Sequence, residues 1–376
     1  MGREETLSRL AEAAQYDLAC ACGGPQRRSL GPDGRWIYPV ALPQGGTLPV
    51  LKVLQSSGCE RRCVYCRERD GGQGRASLTP DALAMTFMEM VRAGLVKGLF
   101  LSSAIHDTPV ATMDRMLGTL ERVRLEHRFR GFVHAKIIPG AEDGQIHRAM
   151  ALADRVSINL EAPSASRLST IAPGKGYDAQ LRYTMAYIAR HLGQPGIRCK
   201  SHSTQYVVGA ADEADREILE SLWHSYRQLR LGRGYFSAFQ PIADTPLSHK
   251  PPTSALREHR LYQTDFLFRC YGFALDEILF DSTENLSLTT DPKAAWAAAH
   301  PEIFPLEINR AEKRLLLRVP GIGPTAVTRI LRVRRHAKIT DVDALKTVTP
   351  RWRTAAPYLL FDGRKRAGGV QLALPF

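Results

Sequence analysis

Cys59, Cys63 and Cys66 stand as C-x3-C-x2-C within Gly58-Cys-Glu-Arg-Arg-Cys-Val-Tyr-Cys-Arg67. Three thiols on one short loop restrict the fold, because the loop must close around something that accepts three ligands. Structural zinc takes four ligands, usually in two close pairs, and the next histidine is as far off as His106. A disulfide uses cysteines in pairs and belongs to oxidising compartments. A cubic [4Fe–4S] cluster has four irons, and full protein ligation takes four cysteines. Three cysteines leave one iron open to another ligand.

The surrounding pattern places this loop. Residues 48–54 (Leu-Pro-Val-Leu-Lys-Val-Leu) read as a mostly apolar strand, with Gly45 and Gly46 as breakers before it. Helical periodicity follows over 79–95, 113–127, 143–153, 177–192 and 214–229. Strand patterns alternate with them at 97–103, 131–138, 155–161, 203–208 and 235–239. Strands alternating with helices of this length predict βαβ units and a parallel sheet. In such architectures active sites gather on loops after the C-terminal ends of strands. The cysteine loop follows the first strand.

The cysteine spacing, Tyr65 before the last cysteine, the preceding strand and the six βα units resemble the radical S-adenosylmethionine (SAM) enzymes. The resemblance covers roughly residues 45–245. It implies an α/β fold built on a partial (β/α)6 TIM-like barrel. It also implies a [4Fe–4S] cluster on Cys59, Cys63 and Cys66, whose open iron chelates SAM through its amino and carboxylate groups. Reductive cleavage of SAM would then give methionine and a 5′-deoxyadenosyl radical, with an electron donor as partner.

The same resemblance directs attention to strand ends, with Tyr65 counted among the cofactor-binding residues. The superfamily often meets the SAM amino group with Gly-Gly-Glu after strand two. Here Leu101-Ser-Ser-Ala-Ile105 lacks the acid, so the contact would rest on backbone carbonyls or on Ser102 and Ser103. On strand four, Ser157, Asn159 and Glu161 alternate with Ile158 and Leu160, which puts the polar groups on one face. Asn159 and Glu161 suit the ribose hydroxyls and the amino group, or else brace the barrel. Lys136 would meet the SAM carboxylate, or is a solvated lysine. Gly209 would let the adenine approach the backbone, or simply ends its strand.

A second motif lies near the C-terminus. Leu316-Leu-Arg-Val-Pro-Gly-Ile-Gly-Pro-Thr-Ala-Val-Thr-Arg-Ile-Leu331 resembles a helix-hairpin-helix, expected as a small all-α domain. Its second helix would start at Pro324, a favoured first helical residue, and would offer its N-terminal N–H groups to a phosphate. The DNA-binding set is then Gly321, Gly323, Thr325, Ala326, Arg329 and Arg332. The alanine usual after the hairpin falls one position early, at Ala326. The net charge of the chain is +13. Residues 311–353 carry eleven Lys or Arg against three Asp or Glu, so most of that excess is here. A basic patch with such a motif points to duplex DNA held by its backbone. The alternatives are an ordinary solvated face or a hairpin used for protein contacts.

The final residues Gln371, Leu372, Leu374 and Phe376 resemble the peptide by which bacterial DNA polymerases and repair factors dock on the sliding clamp. A tail packed on its own protein is the other reading. Ala14-Gln-Tyr-Asp-Leu-Ala-Cys20, Lys136-Ile-Ile-Pro-Gly140 and the barrel-to-hairpin order resemble the bacterial DNA modification/repair radical SAM proteins. That resemblance implies a uracil-DNA-glycosylase-like partner and a DNA role, with no reaction attached. The expected organisation is an N-terminal helical or irregular extension (1–44), the barrel (45–245), a helical connector (246–310), the helix-hairpin-helix domain (311–355) and a tail (356–376).

No apolar run approaches the roughly 18–20 residues of a membrane span. The N-terminus reads as helical rather than as a signal peptide, and a cytoplasmic protein is expected. Of the seven cysteines, Cys20, Cys22, Cys199 and Cys270 lie outside the triad. Cys199 or Cys270 could return a hydrogen, as a cysteine does in spore photoproduct lyase, but lone cysteines are usually small buried hydrophobes. Besides a DNA-directed radical enzyme, the sequence leaves open a radical enzyme acting on RNA or a nucleotide, and a non-catalytic redox-sensing DNA-binding protein.

Overall fold

The apolar stretch ahead of the cysteines becomes one strand of a seven-stranded sheet in the computed structural model, which describes residues 2–16, 37–41, 46–71 and 74–364. The strands are β1 (Ile37–Ala41), β2 (Thr47–Leu54), β3 (Gly98–Ser102), β4 (Phe132–Lys136), β5 (Arg155–Ser157), β6 (Ser201–Val208) and β7 (Arg233–Ala238). They lie in chain order, curled into a half-barrel. β2 to β7 pair in parallel, as the alternation predicts. β1 is an antiparallel addition on β2 that the sequence reading did not contain.

Parallel neighbours need long crossovers, usually helical. Pro80–Arg92, Pro109–Glu121, Asp143–Leu152, Tyr183–His191 and Asp215–Gln228 supply them. Local chemistry sets where they start. Thr79 and Thr108 cap the first two by accepting the N–H groups of Ala82 and Ala111, and a proline opens each helix. A further helix, Ala165–Ile171, sits in the loop after β5, where none was expected.

Packing identifies the concave face. A Cβ on Gly234 would lie 2.5 Å from Cδ1 of Leu222 on the helix Asp215–Gln228, so Gly234 faces the helices. Its neighbours Arg233 and Tyr235 therefore face inward. Register carries that assignment across the sheet: Arg233 pairs with Ser203, Ser203 with Ser157 and Ser157 with Lys136.

The chain divides into two compact units, Met1–Glu258 and His259–Phe376. In the second unit, Ile308, Leu316, Val319, Ile322, Val327, Ile330 and Leu345 form one core, joined by Leu359 and Phe361. Within 311–355 the assigned elements are the helices Lys313–Leu316, Pro324–Val333, Val342–Val348 and Trp352–Ala355, and just outside that range Leu306–Glu307 and Leu359–Leu360 pair as parallel strands that the sequence reading did not contain. Two residues each are too few to give a periodic signal.

Lys293 is 9% exposed and donates to the Ile322 carbonyl, within the glycine turn, at 2.5 Å. Burial pushes its ammonium down from 10.5 to about 7. Between those values the unfolded chain holds a proton that the folded chain has released. The unfolded state therefore binds more protons in that window, and stability rises with pH across it. Denaturation of the wild type at pH 7, 8 and 9 should show the second unit gaining stability. Lys293→Met should flatten that slope.

Candidate functional site

The cysteine loop leaves the C-terminal end of β2 and folds back on itself. Gly58 N–H donates to the Glu68 carboxylate at 2.8 Å and Cys59 N–H to the Glu68 carbonyl at 2.6 Å. Gly71 N–H closes the loop onto the Cys59 carbonyl at 2.8 Å. Gly58 is required: its φ is +73°, and a Cβ would meet the Gly71 carbonyl at 2.8 Å. The Cys59 sulfur accepts N–H groups from Arg61 and from Ile105, each at 3.4 Å. Ile105 belongs to the loop after β3, so two strand ends converge on one sulfur.

Cys59, Cys63 and Cys66 are free thiols. Burial pushes Cys63 above its ordinary value, with the Lys175 ammonium pulling the other way. Burial likewise pushes Cys66 up to about 12. Such thiols ionise only when something replaces the proton, as a metal does. The donors fit an iron–sulfur cluster: three clustered soft sulfurs, backbone N–H groups on one of them and a cation beside the other two.

That cation was not singled out in the sequence. Lys175 Nζ lies 3.1 Å from Glu161, with the two side chains 12% and 7% exposed. Burial works against the ammonium, but Glu161 and the neighbouring cysteines outweigh it and raise its affinity for a proton. Glu161 also receives the Asn159 amide at 3.5 Å, and the Tyr65 hydroxyl donates to it. Burial first and Glu161 second hold that hydroxyl well above the usual phenol range. The structure thus brings Tyr65, Asn159 and Glu161 together beside Cys63 and Cys66. Glu161 has φ +65°, so the strict alternation expected to residue 161 breaks there. The available signal for Lys175 was its setting, Pro173-Gly-Lys-Gly176, a flexible basic turn after strand four.

The other predicted residues are more dispersed. Ser102 is buried at the end of β3, while the Ser103 hydroxyl donates to the Ala104 carbonyl at 2.7 Å. Lys136 ends β4 on the concave face, where Ser157 takes the ring of His134 at 2.9 Å. Gly209 has φ +84°, and its missing Cβ would lie 2.1 Å from Thr253 Oγ1. The close approach at Gly209 is therefore to this chain's own threonine. Cys199 is buried and donates to the Ser201 carbonyl at 3.2 Å. Glu60, His106 and Asp107 cluster nearby, but Arg75 occupies Glu60 at 2.6 Å and Arg115 occupies Asp107 at 2.6 Å.

In the second unit, Pro324, Thr325, Thr328, Arg329 and Arg332 line an open groove of about 560 Å³ along the helix Pro324–Val333. No side chain caps this helix at Gly323, so its first-turn N–H groups suit an external acceptor. Ala326 departs from the expectation: it is 6% exposed and packs into the core, leaving only its backbone for a ligand. Gly321, at φ +81°, is needed because a Cβ would lie 2.8 Å from the Arg351 carbonyl. A Cβ on Gly323 would lie 3.0 Å from the Tyr271 hydroxyl. Several cations of this segment are spent internally. Arg318 is buried against Glu277, Arg334 donates to the Ala311 carbonyl, and Lys338 pairs with Asp362. Arg329 and Arg332 are left at the groove. Cys20, Cys22 and the tail residues Gln371, Leu372, Leu374 and Phe376 lie outside the described residues.

No family model and no curated protein matches the chain. Among solved structures, it is similar to HydG, a maturase of the [FeFe]-hydrogenase, at 14% identity and TM-score 0.44, covering 57% of this chain and 48% of that one. It is similar to methylornithine synthase (PylB) at 12% and 0.46, covering 57% and 60%. It is also similar to TsrM from Kitasatospora setae, a radical S-adenosylmethionine methyltransferase with cobalamin and a [4Fe–4S] cluster bound, at 15% and 0.41, covering 52% and 35%. The chain thus spans between about a third and three-fifths of the length of these proteins. Scores below 0.5 at such identities assign it to no family. No helix among the described residues is long and apolar enough to cross a membrane.

Proposed function

We propose that this chain is a radical SAM enzyme acting on DNA. One observation carries the first half: three free cysteines, Cys63 buried and Cys59 and Cys66 partly so, lie on one loop at the C-terminal end of a parallel strand. Cys59, Cys63 and Cys66 would hold a [4Fe–4S] cluster, with one iron left for SAM. When bound and reduced, such a centre supplies SAM cleavage and a carbon-centred radical that takes hydrogen from a substrate. The chain's own contributions are positional. The Arg61 and Ile105 N–H groups orient Cys59. Lys175 balances the charge of the thiolates. Asn159 and Glu161 present polar groups at the same edge, and the concave face behind them offers Ser102, Lys136, Ser157 and Ser203.

The second half rests on the groove beside Pro324–Val333. Its uncapped first turn and the guanidinium groups of Arg329 and Arg332 suit phosphate oxygens, which position a duplex without reading its sequence. The C-terminal tail would tether the enzyme to the sliding clamp. A uracil-DNA-glycosylase-like partner belongs to the same proposal.

The experiment is anaerobic 5′-deoxyadenosine production by the reconstituted full chain, with SAM and a reductant, with and without duplex DNA. Stimulation by DNA supports the reading; equal stimulation by RNA alone moves the substrate to RNA. No turnover by a chain carrying four irons overturns the enzyme. The Arg329→Glu/Arg332→Glu variant should bind DNA at least about tenfold more weakly. Its log K against log salt should flatten by roughly two charges.

A further inference from the structure

We infer that Lys293 is a positioning residue for phosphate in the second unit, acting through the Ile322–Gly323 peptide of the glycine turn. Its ammonium holds the carbonyl end of that peptide and so strengthens the N–H end. The inference rests on the DNA reading above and adds a linked proton to it.

Two carbonyls of the turn are held by side chains of the same unit. The Thr349 hydroxyl donates to Gly321 at 3.0 Å, and the Lys293 ammonium donates to Ile322 at 2.5 Å. Lys293 belongs to the helix Pro292–Ala299 and is only 9% exposed. Its Nζ lies 4.6 Å from the centre of the Tyr271 ring, and the Tyr271 hydroxyl packs at 3.0 Å from where a Gly323 Cβ would be. The peptide between Ile322 and Gly323 is trans, so its N–H points opposite to the carbonyl that Lys293 holds. Among the described residues, that N–H meets no acceptor. It stands directly before Pro324 and Thr325, which line the groove with Thr328, Arg329 and Arg332. A cation on the carbonyl polarises the peptide, and hydrogen bonds in such a chain strengthen one another. An anion at the N–H and the ammonium at the carbonyl therefore favour each other.

Burying an ammonium is costly, and a packed apolar side chain would avoid that cost. In the free protein burial brings Lys293 down to about 7, with Asp291 pulling the other way and Arg318 adding to the lowering. The charged and titratable groups around it are Asp291, which caps its own helix, Arg318 with its partner Glu277, and Tyr271. A phosphate at the Gly323 N–H adds negative charge and raises the affinity of the ammonium for its proton. The bound state then holds more protons than the free state, so binding is strongest below pH 7 and weakens as pH rises through it. If phosphate raises the ammonium by about one pH unit, affinity should fall roughly sevenfold between pH 6 and 8.5.

The test is anaerobic titration of the reconstituted full chain with a short DNA duplex at low salt. Affinity is read by fluorescence anisotropy from pH 6 to 8.5, and proton uptake by calorimetry in two buffers of different ionisation enthalpy. The wild type should take up roughly 0.4 proton per duplex bound at pH 8, where histidines are already largely neutral. Lys293→Met should bind about sevenfold more weakly at pH 6 and within about twofold of the wild type at pH 8.5. A lysine that only braces the fold would leave the same gap at every pH. If Lys293→Met does not fold, the wild-type calorimetry decides: proton uptake supports the inference and none overturns it. Parallel pH profiles for wild type and variant also overturn it, while duplex binding without either signature leaves the DNA reading intact. A wild type that does not bind the duplex overturns both.

Discussion

Cys63→Ala should reduce bound iron from the four per chain expected of the wild type to near zero after anaerobic reconstitution, with 5′-deoxyadenosine falling to the level of a protein-free control. A cubic cluster with two remaining thiolates has lost a third of its protein anchors. Cys199 is buried against the Ser201 carbonyl and is committed there. Loss of the cluster can be separated from unfolding. Cys63 behaves in the metal-free chain as a small buried group, so its truncation should cost only about 1 kcal/mol. Denaturation midpoints of metal-free wild type and variant should therefore nearly coincide, while iron content differs completely. Cys199→Ala should keep its iron. A Cys63→Ala protein that retains four irons would rule out this ligand set.

Arg318→Ala has the largest expected effect on stability. The side chain is 1% exposed, and its guanidinium is shared between Glu277, at 2.7 and 2.8 Å, and the carbonyls of Tyr271 and Gly272, at 3.0 and 3.1 Å. It also lies 3.7 Å from the centre of the Phe273 ring. Truncation leaves a carboxylate and two carbonyls without this donor and opens a hole against an aromatic face. Breaking a buried pair from one side costs about 3–5 kcal/mol. The check is hydrogen exchange of the Ile322 to Ile330 amides in the full chain, which should quicken by more than a hundredfold. Arg318→Met with Glu277→Leu should recover much of the loss, since two apolar groups leave no stranded charge. A change below about 1 kcal/mol for Arg318→Ala would contradict this account.

Arg318 also illustrates what the sequence could and could not convey. It sits in the basic run before the glycine turn and reads there as one more cation for DNA. Only the fold shows it turned inward, because Glu277 is 41 positions away. Lys175 is the reverse case: a basic residue in a glycine-flanked turn becomes notable only when Glu161 is brought against it. Local signals worked where one element decides. The proline-led, threonine-capped start of Pro80–Arg92 falls where the periodicity places it, at 79, whereas Pro109–Glu121 begins four residues ahead of the expected 113 although Thr108 and Pro109 mark it. β2 and β3 are legible because their runs are apolar, whereas β5, expected over 155–161, ends at Ser157 and β6 opens on the polar run Ser-His-Ser-Thr-Gln. β1 and the pair Leu306–Glu307 with Leu359–Leu360 were missed. Their pairing is decided by partners elsewhere in the chain, and their own patterns are too short. The cysteine triad was plain in sequence, but the polar group around Glu161 needed a left-handed residue that alternation does not anticipate.

β1 has a consequence for how the molecule meets others of its kind. Without it, β2 would present a row of unpaired N–H and C=O groups, ready to template a strand from another molecule. β1 covers that row along Ile37↔Leu51 to Ala41↔Thr47, and it places Pro39 opposite Pro49. A proline within an outer strand cannot donate to a further neighbour, which blunts the new border. The strand that delivers the cysteines is thereby kept from lateral self-association. Deleting 37–41 should cause concentration-dependent aggregation before it weakens the rest of the barrel.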